Sequence, residues 1–121
     1  MSSDAADIKI EHEQSDGFAI VRPAGKLDTL SAKTFEAYLK DLVNEVSGTL
    51  LVDMSKVDYV TSFGLRSLLI IAKLLAPSGD KLVLFQVNPS VLDVLKISGF
   101  LKILKVVDTQ DEALAPAGNA A

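Results

Sequence analysis

Few residues in this chain can do chemistry. It has no cysteine and one histidine, His12, which excludes a thiol nucleophile, a disulfide framework, a zinc cluster and a histidine-based triad. His12 lies on the polar phase of the alternating run Ile8-Lys9-Ile10-Glu11-His12-Glu13 and reads as an exposed strand histidine. What remains is hydroxyls and carboxylates. Between an apolar run ending at Met54 and a helical run lies Ser55-Lys56-Val57-Asp58-Tyr59-Val60-Thr61-Ser62-Phe63-Gly64-Leu65-Arg66. On spacing alone Ser62 is an ordinary N-cap, accepting hydrogen bonds from the first free amides of a helix. The same place suits a second use. A hydroxyl exposed at a helix N-terminus and followed closely by Gly64 can be approached by a large partner and can carry a phosphate. The free amides and the helix dipole stabilise the phosphate's charge of about −1.5 to −2.

Three carboxylates, Asp28, Asp53 and Asp58, are candidates for acid/base work or magnesium ligation. Asp53 and Asp58 fall in strand-end and turn positions where aspartate satisfies backbone amides, which is the structural reading. Gly25-Lys26-Leu27 is no phosphate loop, since the upstream glycine and the following Ser or Thr are absent. With neither a nucleophile-base pair nor a cofactor motif, the chain is expected to supply a substrate hydroxyl and no catalysis, and to need no metal or cofactor.

These residues must be positioned by a single domain, the size that 121 residues suggests. Hydrophobic residues make up 49% of the chain and aromatics 6%, without Trp, so the core must be mainly aliphatic. The balance of 12 basic against 16 acidic residues, with no basic block, argues against nucleic acid as a partner. The most apolar stretch, Leu68 to Ala76, is interrupted by Lys73 and is far short of the roughly 20 residues of a membrane span. It reads as a buried helix, without direct membrane insertion. No basic segment followed by an apolar one marks the amino terminus for secretion, so the cytoplasm is the expected location.

Ile8 to Glu13 and Phe18 to Arg22, separated by Ser15-Asp16-Gly17, predict an antiparallel hairpin. From Ser31 to Val46, Ala32, Phe35, Leu39, Leu42, Val43 and Val46 recur at helical spacing, with Glu36 and Lys40 an i,i+4 pair and Gly48 closing the helix. Thr49 to Met54 and Lys81 to Val87 are near-continuous apolar runs, as expected of parallel strands, and frame a strand-helix-strand unit. Asn88-Pro89 starts a helix through Ile97, which Gly99 stops, with Phe100 placed to pack on Leu95. A last strand, Ile103 to Val107, precedes a short helix with the capping box Thr109/Glu112, ended by Pro116. The predicted fold is α/β, a mixed sheet opening with a hairpin and packed with about four helices, spanning residues 8–115 with flexible ends at 1–7 and 116–121.

At about 100° per residue, the helix from Ser62 places Leu65, Leu68, Leu69, Ala72 and Ala76 toward the sheet. Phe63, Ser67, Ile70 and Leu74 line the opposite side, flanked by Arg66 and Lys73. Such an apolar outer stripe is either a partner-docking surface or a face covered by another element of the chain.

From about Ile8 to Leu114 the sequence resembles the bacterial anti-sigma factor antagonists built on the STAS domain. Val52 to Leu65 matches the family's strand, Asp-Leu-Ser turn and Asp-Ser-Ser-Gly-Leu switch. Gly25-Lys26-Leu27-Asp28 is similar to its Gly-Glu-Leu-Asp, and Asn88-Pro89-Ser90-Val91 with Ser98-Gly99-Phe100 to the start and stop of its third helix. The resemblance implies a single STAS domain, a monomer when free, that is switched by phosphorylation of Ser62. The unphosphorylated form binds an anti-sigma factor that is itself a serine kinase, bringing ATP and magnesium, and so frees the sigma factor. A phosphoserine phosphatase resets it. Partner contact is then expected at Asp28, in a loop beside the switch, and at Thr61, Ser62, Phe63, Gly64, Arg66, Ser67, Ile70 and Leu74. Two departures, Thr61 where the family has an acidic residue and Phe63 where it has Ser or Thr, point to a kinase different from those acting on members that keep the acid. The rival implied by similar stand-alone domains is a subunit of a lipid-transporting, ATP-driven membrane assembly.

Overall fold

The computed structural model describes residues 2–5, 8–15, 17–45 and 48–114. Alternation of buried Ile8 and Ile10 with exposed Lys9 and Glu11 builds β2 (Ile8–Ser15), which turns through Gly17 into β3 (Phe18–Leu27). The two pair antiparallel from Ile8 opposite Gly25 to Ser15 opposite Phe18, the expected hairpin. Ser2–Ala5 forms an edge strand, β1, antiparallel to β2, in a segment whose composition predicts no element. The expected carboxy-terminal tail, 116–121, lies outside the described residues.

Beyond β3 the chain runs α1 (Thr29–Glu45), β4 (Thr49–Asp53), β5 (Lys56–Val60), α2 (Ser62–Leu75), β6 (Leu82–Phe85), α3 (Pro89–Ile97), β7 (Lys105–Val107) and α4 (Gln110–Leu114). The strand order is β1-β2-β3-β4-β6-β7, and β3, β4, β6 and β7 are parallel to one another. Every crossover therefore steps the same way along the sheet, and right-handed connections put α1, α2 and α3 on one face. Ile10, Val21 and Leu50 from that face meet Phe35 of α1, Leu68 of α2 and Leu95 of α3 in the main core. On the other face α4 places Ala113 over Ile20, Leu51, Val83 and Phe85. Gly48, at φ +128°, is required by a close approach, since a Cβ there would lie 2.0 Å from the carbonyl oxygen of Gly17.

β5 lies in the segment between Met54 and Ser62, for which the sequence pattern predicts no strand. It pairs with the second half of β3, from Ala24 opposite Lys56 to Leu27 opposite Val60, while β4 takes the first half. A register shift between Gly25 and Lys26 marks the change of partner. Only Val57 and Val60 of β5 are buried, too few to announce a strand. Asn88, expected as a side-chain cap for α3, instead donates Nδ2 to the carbonyl of Val57 at 2.7 Å and closes the outer edge of β5. Gly99 ends α3 at φ +80°, and half-buried Phe100 packs against the core that holds Leu95.

Candidate functional site

The candidate site lies where β3 and β5 end side by side. Leu27 closes β3, and Asp28 begins α1 with a reciprocal cap. Its Oδ1 accepts from the amides of Leu30 and Ser31, both at 3.0 Å, while its own amide donates to Ser31 Oγ at 2.9 Å. Asp28 thus has a structural task in addition to its expected place beside the switch.

Thr61 leaves β5 in an extended conformation (φ −92°, ψ 176°) and is the residue that precedes α2. Its amide and its Oγ1 both donate to the carbonyl of Leu27, at 2.9 and 3.1 Å. That hydroxyl is turned inward, and α2 has no side-chain cap. Ser62 is the first residue inside the helix and is exposed, which corrects the N-cap assignment made on spacing. The first-turn amides therefore meet no capping oxygen from Thr61, and the dipole of α2 ends beside an exposed hydroxyl.

Gly64 is buried rather than open to a partner. A Cβ there would come within 2.9 Å of Leu27 Cβ and Val60 Cγ1 and 3.0 Å of the Leu27 carbonyl. Glycine is what lets the first turn of α2 sit against the end of β3.

The faces of α2 are rotated from the expected ones. Leu65, Ser67, Leu68, Ile71 and Leu75 are buried, Leu69 and Ile70 are both half-buried, and Ala76 is exposed. Ser67, expected on the outer stripe, is 2% exposed, and its Oγ lies 3.2 Å from the Ala32 carbonyl of α1 and 3.1 Å from the Phe63 carbonyl one turn back. The cause is α1, which packs along one flank of α2 and covers it. Of the remaining expected contacts, Phe63 (50% exposed) and Leu74 (45%) project outward, and Arg66 is exposed between them and Ser62 on the helix surface. Sequence reasoning also passed over Leu30 (64% exposed) and Tyr59 (52%), which flank the Leu27–Thr61 junction. Leu30 falls off the apolar stripe of α1, and Tyr59 occupies a polar phase of the unrecognised β5, so an apolar residue out of phase was the available signal.

Of the other candidates, Asp53 and His12 are held in structural contacts. Asp53 Oδ1 accepts from the Ser55 amide at 2.9 Å, and Oδ2 accepts from Arg22 Nη1 at 2.9 Å. Arg22 also donates to Glu13, which more than any other neighbour raises its pKa above the ordinary value. Asp58, expected at a turn where it would satisfy backbone amides, is instead exposed in the middle of β5. His12 is half-buried rather than exposed, stacked edge-on against Tyr38 of α1 with ring centroids 5.5 Å apart, and its Nδ1 is hydrogen-bonded to the Tyr38 hydroxyl. Burial, first among the causes, lowers its pKa. No group of three or more potential metal ligands is found among the described residues. No helix among them is long and apolar enough to cross a membrane.

Residues 9–113 match the STAS domain family. BtrV of Bordetella bronchiseptica, a candidate anti-sigma factor antagonist, is 33% identical over 108 residues, covering 89% of this chain and 93% of that protein. The anti-sigma F factor antagonist of Paenibacillus polymyxa is 27% identical over 109 residues, again 89% of this chain and 93% of that protein. A crystal structure of an anti-sigma factor antagonist from Mycobacterium paratuberculosis superposes with a TM-score of 0.78 at 25% identity, over 88% of this chain and 91% of that one. With the Leu27–Thr61 junction, the uncapped start of α2 and the single mixed sheet in place, the chain belongs to the STAS domain family, alongside relatives named as anti-sigma factor antagonists.

Proposed function

We propose that this domain is a phosphorylation-switched binding module. Unphosphorylated, it binds an anti-sigma factor that is also a serine kinase, releasing the sigma factor held there. The kinase, carrying ATP and magnesium, phosphorylates Ser62, and a phosphatase restores the binding form. The domain contributes the acceptor hydroxyl and no catalysis, and works in the cytoplasm as a monomer until it meets its partner. The observation that carries this reading is that Ser62 is exposed at the first position of α2 while Thr61 commits its hydroxyl to Leu27. Among the neighbouring hydroxyls, Ser67 is 2% exposed and Thr61 is half-buried and bonded, whereas Ser55 is exposed but lies in the turn between β4 and β5, away from a helix N-terminus. Tyr59, Phe63 and Arg66 offer a partner the aromatic and guanidinium groups that dominate protein interfaces. A doubly charged group among them cannot be solvated once a partner covers it.

The test is mass spectrometry after incubation with the cognate kinase and ATP, with phosphate expected on Ser62. Phosphate mainly on Thr61, Ser55 or Ser67 would sink the assignment. In parallel calorimetry, Ser62→Ala should bind the partner and Ser62→Asp should bind poorly, and equal affinities would contradict the switch.

A further inference from the structure

The end of the domain opposite the switch has a different chemistry. α2 begins at Ser62, and Ala76 lies on the order of 20 Å further along its axis. There Ala76 joins Lys81, Lys102, Ile103 and Lys105 around a groove of about 540 Å³, with Asp80 the acidic residue in its lining. Next to Ile103 along the chain are the exposed aliphatic side chains of α3 and the turn after it, Val94 (37%), Ile97 (88%) and Leu101 (36%), and Ile103 itself is 57% exposed. Lys96, Lys102 and Lys105, all exposed, alternate with them.

Charge is segregated along the chain in the same sense. Residues 73–105 hold five lysines, no arginine and two carboxylates, whereas the rest of the chain holds seven basic and fourteen acidic residues. Lysines gather at helix C-termini in their own right, and Lys96 and Lys102 occupy such last turns. That accounts neither for Lys81, which precedes β6, and Lys105, which begins β7, nor for isoleucines left in water beside them.

We propose that this end of the domain is a peripheral membrane-binding face that takes up anionic phospholipid, independently of the switch. Three observations favour a bilayer over an acidic protein. The basic residues are all lysine, a point charge on a flexible stem that reaches headgroup phosphates while its methylenes lie along apolar surface, whereas protein interfaces are depleted in lysine and enriched in arginine and aromatics. The exposed apolar residues are all aliphatic. An isoleucine 88% exposed must be enveloped on nearly every side, which acyl chains do without a matching pocket. The acidic remainder of the chain is repelled by the same surface, so the domain would sit on it in one orientation, with the groove lysines down and the start of α2 away from the lipid.

The experiment is co-sedimentation of the full chain with vesicles of phosphatidylglycerol and phosphatidylcholine in equal amounts, beside vesicles of phosphatidylcholine alone. Binding is expected on the anionic vesicles only, weakening as salt is added. The double substitution Lys102→Gln/Lys105→Gln should lower it on the order of tenfold. Ile97→Ser should weaken it at high salt as well as low, with melting temperatures unchanged because all three positions are exposed. Failure to sediment with anionic vesicles at low salt, equal binding to neutral ones, or binding untouched by both variants overturns the proposal. Retention on immobilised polyglutamate without vesicle binding also overturns it, in favour of an acidic protein.

Discussion

Two helices start beside the end of β3 at Leu27, and they start differently. α1 is closed: Asp28 and Ser31 exchange hydrogen bonds across its first turn, and the Asp28 carboxylate takes two amides. α2 is open: the residue in the equivalent place, Thr61, turns its hydroxyl back to Leu27 and leaves the first turn uncapped. Both residue types are good caps. The difference is imposed by what each must also do, because Thr61 ends a strand and holds β5 to β3. An N-terminus that its own chain has closed is a structural part, and one left open beside an exposed serine is a place where new negative charge is stabilised.

This contrast can be broken by substitution. The largest effect is expected from Gly64→Ala, since the added methyl would meet Leu27 and Val60 at 2.9 Å and the Leu27 carbonyl at 3.0 Å. Overpacking costs about 1–3 kcal/mol, less the few tenths to 1 kcal/mol by which alanine favours a helix over glycine, and a melting curve should show net destabilisation. An unchanged melting temperature would mean that the two helix starts are not rigidly coupled. Asp28→Ala comes next, at about 1 kcal/mol for a lost cap, whereas Ser62→Ala, which removes no cap, should stay within about 0.5 kcal/mol. Denaturant titration of this pair tests the comparison directly, and equal losses would erase it.

The smallest effect is on pH dependence. Burial lowers the His12 pKa below the ordinary 6.5, so the folded state binds fewer protons there than the unfolded chain. The contribution is fully present above 6.5 and is lost as pH falls through the lower folded value. His12→Gln should flatten that part of the stability profile, and an identical slope would show that Tyr38 anchors α1 to β2 without the imidazole.

Where periodicity was clean, the sequence was a sufficient guide. Of the expected α1 stripe Ala32, Phe35, Leu39 and Leu42 are buried and Val43 is half-buried, while Val46 lies outside the described residues, and the Thr109/Glu112 box closes α4 with the Glu112 amide 3.1 Å from Thr109 Oγ1. The resemblance carried by Val52 to Leu65 likewise pointed to the STAS domain family, which residues 9–113 match. Reading failed where one segment serves two neighbours. α2 is apolar around most of its circumference, so its inward direction is set by α1, and periodicity alone mistook Ser67 for outer and missed Ile71. β5 has two buried side chains and is recognisable only by its pairing to the far half of β3. Gly64 looked like access and is a contact, because what a glycine makes room for lies elsewhere in the chain.

The Leu27 carbonyl has a consequence for the life of the chain. Thr61 reaches it across 34 positions of sequence, through a strand pairing that exists only when β3 and β5 have met. The geometry around Ser62 is therefore absent from a nascent or partly opened chain, however complete its α2. Amide hydrogen exchange at Thr61 should report opening of the β3–β5 pairing, while the uncapped amides next to it exchange at local rates. Any ligand that required this junction would recognise the folded domain alone, because one carbonyl oxygen ties the start of α2 to the completed sheet.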